Sequence, residues 1–236
     1  MKKVCVIGAN GFVGSTICKE IETRKNLQLI KITRQSNMKK LIEQSDIVIH
    51  SANNSKRYFA NQNRSIDLFD TMEKMLKILK YSNSKKIILI STISARVQKD
   101  TPYGAHRRAC ELLLNHKKDL IIRMGNMFGE NNKKGALFDI LQNKDVYANK
   151  ETRCAFVDVK YNAFKVVDLL EECVGIIELG AKNHIKLGEI AKRVGSKSRF
   201  LGSLDTQLPE NVPSDAPDVS AVFNFVKNQT KLGKNK

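Results

Sequence analysis

Residues 4–14 read Val-Cys-Val-Ile-Gly-Ala-Asn-Gly-Phe-Val-Gly: a short apolar run, then glycines at 8, 11 and 14. Val13, Ile17 and Ile21 follow at helical spacing, so the glycines stand between a buried strand and an amphipathic helix. A bare glycine triplet also fits a plain turn, but this context gives each one a task. Gly8 permits a tight exit from the strand, Gly11 lets backbone approach a pyrophosphate, and Gly14 lets the helix pack close to the sheet. The positive end of the helix then faces the phosphates. Gly8, Asn10, Gly11, Phe12, Val13 and Gly14 are the expected cofactor loop.

Working outward, similar apolar runs recur at Leu29 to Ile32, Ile47 to Ile49, Ile87 to Ile90, Leu120 to Ile122 and Gly175 to Leu179, with helical stretches between them. Strand and helix in alternation imply an α/β fold, a doubly wound parallel sheet with right-handed crossovers. Phe69, Met72, Leu76 and Leu79 predict one helix stripe facing that sheet. From Asn126 the pattern loosens, and a short helix is expected over Leu187 to Val194. Residues 1–125 read as the dinucleotide-binding core, and residues 126–236 as a mixed region that completes the sheet and forms a small substrate-binding part. Leu208 to Pro217 reads as a loop and Lys227 to Lys236 as a frayed polar tail.

Composition narrows the partners. The net charge is +17, from 41 Lys+Arg against 24 Asp+Glu, yet the basic residues come in ones and twos, which describes a solvated basic surface. Aromatics make up 6% and tryptophan is absent, so a stacking surface for nucleic acid is not expected. No apolar run approaches the length of a membrane span, and the expectation is a cytoplasmic protein with no membrane partner. Cys5, Cys18, Cys110, Cys154 and Cys173 form no paired motif, so no metal site or disulfide framework is expected.

The cofactor's ribose is read at the end of the second strand. An NAD site carries an acidic residue roughly 20 positions after the glycines, but the chain reads Thr33-Arg34-Gln35-Ser36 there. Thr33 and Arg34 favour a 2′-phosphate, hence NADP, through charge-assisted hydrogen bonds. The alternative is NAD with Arg34 in solvent.

The glycine spacing at 8, 11 and 14, Thr92 after a strand, and Tyr103-Gly104-Ala105-His106-Arg107 opening a helix together resemble the extended short-chain dehydrogenase/reductase family, which includes NAD-dependent epimerases and dehydratases. The resemblance implies a Rossmann fold and a catalytic trio of Thr92, Tyr103 and Arg107, with arginine where the family has lysine. A phenol, titrating near pH ~10, exchanges protons at neutral pH when a cation stabilises its phenolate. Arginine keeps the charge and cannot relay a proton. Tyr103 and Arg107 are also expected to contact the nicotinamide ribose. His50-Ser51-Ala52-Asn53 resembles the family's strand end beside that ribose, which makes Ser51, Ala52 and Asn53 cofactor-lining residues. Arg123-Met124-Gly125-Asn126 resembles the segment that holds a nucleotide-sugar phosphate. Asn126, Arg153 and Ser94 are the expected substrate-binding residues.

The implied function is an NAD(P)-dependent oxidoreductase or epimerase acting on a nucleotide-activated sugar in polysaccharide precursor synthesis. Epimerase and keto-reductase rank above dehydratase, because Thr92-Ile93-Ser94 lacks an acid/base pair beside the threonine. The alternative is a catalytically impaired NADP(H)-binding sensor or scaffold, suggested by Arg107. Relatives pair through the helices that begin here near Arg64 and Tyr103, which implies a homodimer.

Overall fold

The computed structural model describes residues 1–54 and 56–233. In chain order the first half runs β1 (Lys2–Ile7), α1 (Phe12–Glu22), β2 (Leu27–Ile32), α2 (Met38–Glu43), β3 (Ile47–His50), α3 (Arg57–Gln62), α4 (Arg64–Ser82), β4 (Lys86–Thr92), α5 (Ser94–Val97), α6 (Pro102–Leu112) and β5 (Leu120–Met124). It continues through β6 (Met127–Phe128), α7 (Ala136–Leu141), β7 (Arg153–Cys154), β8 (Val157–Asp158), α8 (Val159–Asp168), β9 (Gly175–Leu179), β10 (Ile185–Lys186), α9 (Leu187–Val194) and α10 (Ala221–Gly233). All six apolar runs are strands of one sheet, ordered β2-β1-β3-β4-β5-β9, and its first four neighbouring pairs are parallel.

That order is the doubly wound fold. The chain steps from β1 to β2 on one side and then crosses to β3 on the other, so the order reverses between β1 and β3. In open α/β sheets the crevice at the carboxyl ends of strands flanking such a reversal is where ligands bind. Strands β3 and β5 are buried along their whole length, as a sheet covered on both faces requires. Cys5, Ile7, Val48, Ile87, Leu89 and Ile121 form one face of the core with Met75 and Ile78 of α4 and Cys110 of α6.

Packing divides the described chain into two compact units. One comprises Met1–Met124 with Ala163–Ile177; the other comprises Gly125–Asn162 with residues 178 onward. The second unit pairs β6 with β8 in parallel and β7 with β10 antiparallel. Its core gathers Phe128, Ile140, Val146, Cys154, Phe156, Ile190 and Val222.

Two expectations are corrected. The inward face of α4 is Asp67, Thr71, Met75, Ile78 and Ser82, whereas Phe69 and Leu76 are 69% and 54% exposed. Met72 and Leu79 sit half-buried at the edge of the core. Three of the five inward positions are polar, so the buried stripe does not look apolar in the sequence. The tail is the second: α10 continues past Lys227 to Gly233, because Val222 and Val226, four residues apart, are both buried in the second core. Residues 234–236 lie outside the described residues. Leu208 to Pro217 is free of helix and strand, as read.

Cys5, Cys18, Cys110 and Cys154 are buried free thiols and Cys173 is half-buried. Burial pushes Cys5, Cys18 and Cys110 up to about 11, so they stay protonated and inert.

Candidate functional site

The glycine loop lies at the reversal between β1 and β3. Gly8 has a φ of +89°, and a Cβ placed there would stand 3.0 Å from backbone atoms of Ser51 and Ala52 at the end of β3. A Cβ on Gly14 would meet the Gly8 carbonyl oxygen at 2.2 Å. The Gly11 amide donates to that carbonyl at 2.9 Å. Gly11 also caps α1, and no side chain caps the helix. The loop is therefore a cradle of bare backbone at a helix N-terminus, and it fits a pyrophosphate. Asn10 and Gly11 are exposed, while Phe12 and Val13 are half-buried.

After β2 the chain turns tightly. The Thr33 amide donates to Ser36 Oγ at 2.9 Å, and the two hydroxyls lie 3.2 Å apart. Arg34 stands exposed in that turn, with no carboxylate in the Thr33–Ser36 segment.

The end of β3 is fixed by His50, which is fully buried. Its Nδ1 accepts from the Ala52 amide at 3.4 Å. The Asn53 side chain donates to the Ile90 carbonyl of β4 at 3.3 Å. Desolvation first, then the fields of Lys74 and Arg107, hold His50 down to about 3. It is a neutral peg that holds the Ala52 amide, while Asn53 ties the same turn to β4.

Thr92 ends β4. Its Oγ1 accepts from the Ser94 amide at 3.3 Å and donates to Ser94 Oγ at 3.4 Å; Ser94 itself is buried. Helix α6 begins at Pro102, with Thr101 as its cap accepting from the Gly104 amide at 3.1 Å. Asn61 Oδ1 accepts from the Tyr103 amide at 3.3 Å, so α3 holds the first turn of α6. Tyr103 is 8% exposed and Arg107 2%, and the Arg107 guanidinium lies 5.0 Å from the centre of the Tyr103 ring. The spacing of four had implied this shared face.

What the sequence did not disclose is where the guanidinium points. Nη1 donates to Thr71 Oγ1 at 2.5 Å, and Nη2 donates to the Asn54 carbonyl at 2.7 Å and to Asp67 Oδ1 at 3.5 Å. The buried Asp67 carboxylate also meets His106 Nδ1 at 2.8 Å and accepts from Asn54 Nδ2 at 3.3 Å. One signal pointed here: an arginine on a buried helix face demands a counter-charge. A second buried cluster sits one turn along α6. Glu111 accepts from Arg123 Nε at 2.9 Å, Arg123 Nη2 at 2.6 Å, Arg108 Nη1 at 3.0 Å and Ser91 Oγ at 2.6 Å.

In the second unit Asn126 is half-buried, and its carbonyl accepts from the Val157 amide at 3.1 Å. Arg153 is exposed on β7 beside the inward Cys154. A cleft of about 350 Å³ also lies wholly within this unit, walled by Phe128, Leu137, Phe138, Leu141 and Phe225 with Lys133 at its rim, and it includes none of the expected site residues. Among the described residues no group of three or more His, Cys, Asp or Glu could hold a metal, and no helix is long and apolar enough to cross a membrane.

Residues 4–144 match the model of the NAD dependent epimerase/dehydratase family, more than half of the chain. The chain belongs to this family. The epimerase/dehydratase chain is 26% identical over 212 residues to a UDP-2-acetamido-2,6-beta-L-arabino-hexul-4-ose reductase from Pseudomonas aeruginosa. That match takes in 81% of this chain but only 56% of the relative, so the chain spans little more than half of that reductase. Among solved structures it is similar to dTDP-4-dehydrorhamnose reductase from Bacillus anthracis in complex with NADP, with a TM-score of 0.76 at 15% identity over 98% of this chain and 100% of that one. It is also similar to UDP-glucuronic acid 4-epimerase from Bacillus cereus in complex with UDP-glucuronic acid and NAD, with a TM-score of 0.72 at 18% identity over 95% and 93%. At such identities these likenesses establish the Rossmann fold.

Proposed function

We propose that this family member is an NAD(P)-dependent enzyme acting on a nucleotide-activated sugar, as a keto-reductase or epimerase, in the supply of polysaccharide precursors in the cytoplasm. The observation that carries the reading is a buried Tyr103 under the Arg107 guanidinium, on the same unit as the glycine cradle. The Pseudomonas relative is named as a keto-sugar reductase, and the Bacillus cereus structure is an epimerase holding a UDP-sugar; both support the substrate class.

A bound nicotinamide dinucleotide supplies reversible hydride transfer. The chain's own residues do the rest. Gly8, Gly11 and Gly14 leave room for the pyrophosphate, and the α1 amides face it. Ser51, Ala52 and Asn53, in the turn that His50 holds, line the nicotinamide side. Tyr103 gives or takes the proton at the reacting oxygen, Thr92 holds that oxygen, and Ser94 orients the Thr92 hydroxyl. Arg107 sets the charge at the Tyr103 ring. Asn126 and Arg153 take the nucleotide phosphates. Arg34, exposed in a turn without a carboxylate, favours NADP(H) through its 2′-phosphate. The exposed Ile66, Phe69 and Leu76 of α4 and Leu112 of α6 support pairing of two copies through these helices.

Fluorescence titration with NADPH and NADH, wild type beside Arg34→Ala, tests the cofactor site. NADPH binding that is the tighter and is lost in the variant supports the choice of NADP(H). A panel of nucleotide sugars is then assayed with Tyr103→Phe as control. Failure to bind either dinucleotide sinks the enzyme reading, and binding without Tyr103-dependent turnover leaves a cofactor sensor.

A further inference from the structure

Arg107 stands where a ribose-binding, phenol-tuning cation is expected, yet its two terminal nitrogens are committed elsewhere. They bond Thr71 on α4, the Asn54 carbonyl just past the cofactor-lining turn, and the Asp67 carboxylate. Nε is buried without a partner. Three of its four Nη protons are thereby spent on protein acceptors, so the main work of the guanidinium is to hold other groups in place.

Asp67 is the hub of that arrangement. It is 1% exposed in the first turn of α4, the longest helix among the described residues. A lone carboxylate so buried is costly, and the cost is offset only by a full set of donors. Its donors come from two places: His106 and Arg107 of α6, which also carries Tyr103, and Asn54 of the segment that follows Ser51, Ala52 and Asn53. The Arg107 guanidinium carbon over the Tyr103 ring, 5.0 Å from its centre, extends the network to the phenol ring.

We propose that Asp67 is a positioning residue for the reaction: through Arg107 and Asn54 it locks the Tyr103 ring and the nicotinamide-side turn into one register. This rests on the cofactor reading above. A loss of register of about an ångström between a catalytic group and its bound partner is enough to lower rates strongly, so a carboxylate that touches neither cofactor nor substrate governs how both are met.

The test separates the two ends of the dinucleotide. Binding of NADPH and of 2′-phospho-ADP, the adenosine half alone, is measured for wild type, Asp67→Asn and Asp67→Glu. In parallel the protein is labelled with fluorotyrosine, and the Tyr103 fluorine resonance is assigned with Tyr103→Phe. Asp67→Asn is expected to weaken NADPH roughly tenfold, the scale of one lost polar contact. It should leave 2′-phospho-ADP unchanged and shift the Tyr103 resonance, and Asp67→Glu should restore most of both signals. Equal weakening of both ligands alongside a lowered melting temperature makes Asp67 a structural residue only and overturns the proposal, as does a Tyr103 resonance that stays in place. Should Asp67→Asn fail to fold, Thr71→Val removes an uncharged partner of Arg107 and must move the same resonance. Wild type that binds neither ligand defeats the cofactor reading instead, and the resonance still decides the role of Asp67.

Discussion

Helix α6 carries two buried arginine–carboxylate clusters a turn apart, and they are built to different standards. Around Glu111 the geometry is saturated: Arg123 binds it in a fork at 2.9 and 2.6 Å, with Arg108 and Ser91 filling the remaining acceptor sites. Around Asp67 the arginine contact is long, at 3.5 Å, a histidine and an amide share the carboxylate, and Arg107 Nε is left open. A buried ion pair stabilises only when every lone pair and proton is matched. The first cluster is a brace tying α6 to β4 and β5. The second sacrifices geometry to reach three elements at once, a mark of a site under functional constraint.

The largest expected effect breaks the brace. Glu111→Ala strips Arg123, which is only 6% exposed, of its carboxylate fork and should lower unfolding free energy by about 3–5 kcal/mol. Urea titration checks it. A loss below ~1 kcal/mol would show that water reaches Arg123 and that the clusters do not differ as described. Next comes Arg107→Lys, which restores the residue type that the family has at this position. An ammonium lacks the planar fork and cannot serve Thr71, Asn54 and Asp67 together. The expected cost is about 1–3 kcal/mol, the range for buried polar groups left unpaired. A neutral outcome in thermal melts would mean that the Asp67 cluster is looser than its distances imply.

The two clusters also differ in how much of them the sequence discloses. The six strands are legible because their apolar runs are short, rich in β-branched residues, and bounded by turns or helices. The glycine cradle is legible because backbone geometry alone demands those residues. Tyr103 and Arg107 share a face by helical spacing. Asp67 is not legible: a carboxylate among Ser65, Asp70 and Glu73 reads as solvated surface, and only its tertiary partners, 36 to 40 positions away in α6 for Thr71 and Asp67 themselves, make it buried. The same hidden polarity turned α4 in the reading, assigning Phe69 and Leu76 to the core when they face outward. In the second unit the strands are two residues long, too brief for periodicity to register, and α10 is concealed by a polar C-terminal half whose buried side rests on Val222 and Val226.

The smallest predicted effect uses proton linkage at His50, which feels one cluster and not the other. Its pKa falls from the reference 6.5 to about 3 through burial, then Lys74, then Arg107, with Glu111 absent from the causes. Between those two values the unfolded chain holds a proton that the folded chain refuses. The stabilising contribution is therefore complete above 6.5 and is lost as pH falls toward 3, at up to about 1.4 kcal/mol per pH unit. Moving wild type from pH 7.5 to 5.5 should cost about 1.4 kcal/mol more than the same move costs His50→Gln, by denaturant titration of both. Equal losses would place a proton on folded His50 and undo the neutral peg. Arg107→Met sharpens the comparison, because removing one depressing charge raises the folded value without touching burial. Its curve should track wild type through mild acid and flatten earlier only near the folded pKa, whereas Glu111→Ala, though far less stable, should keep the wild-type dependence on His50 throughout.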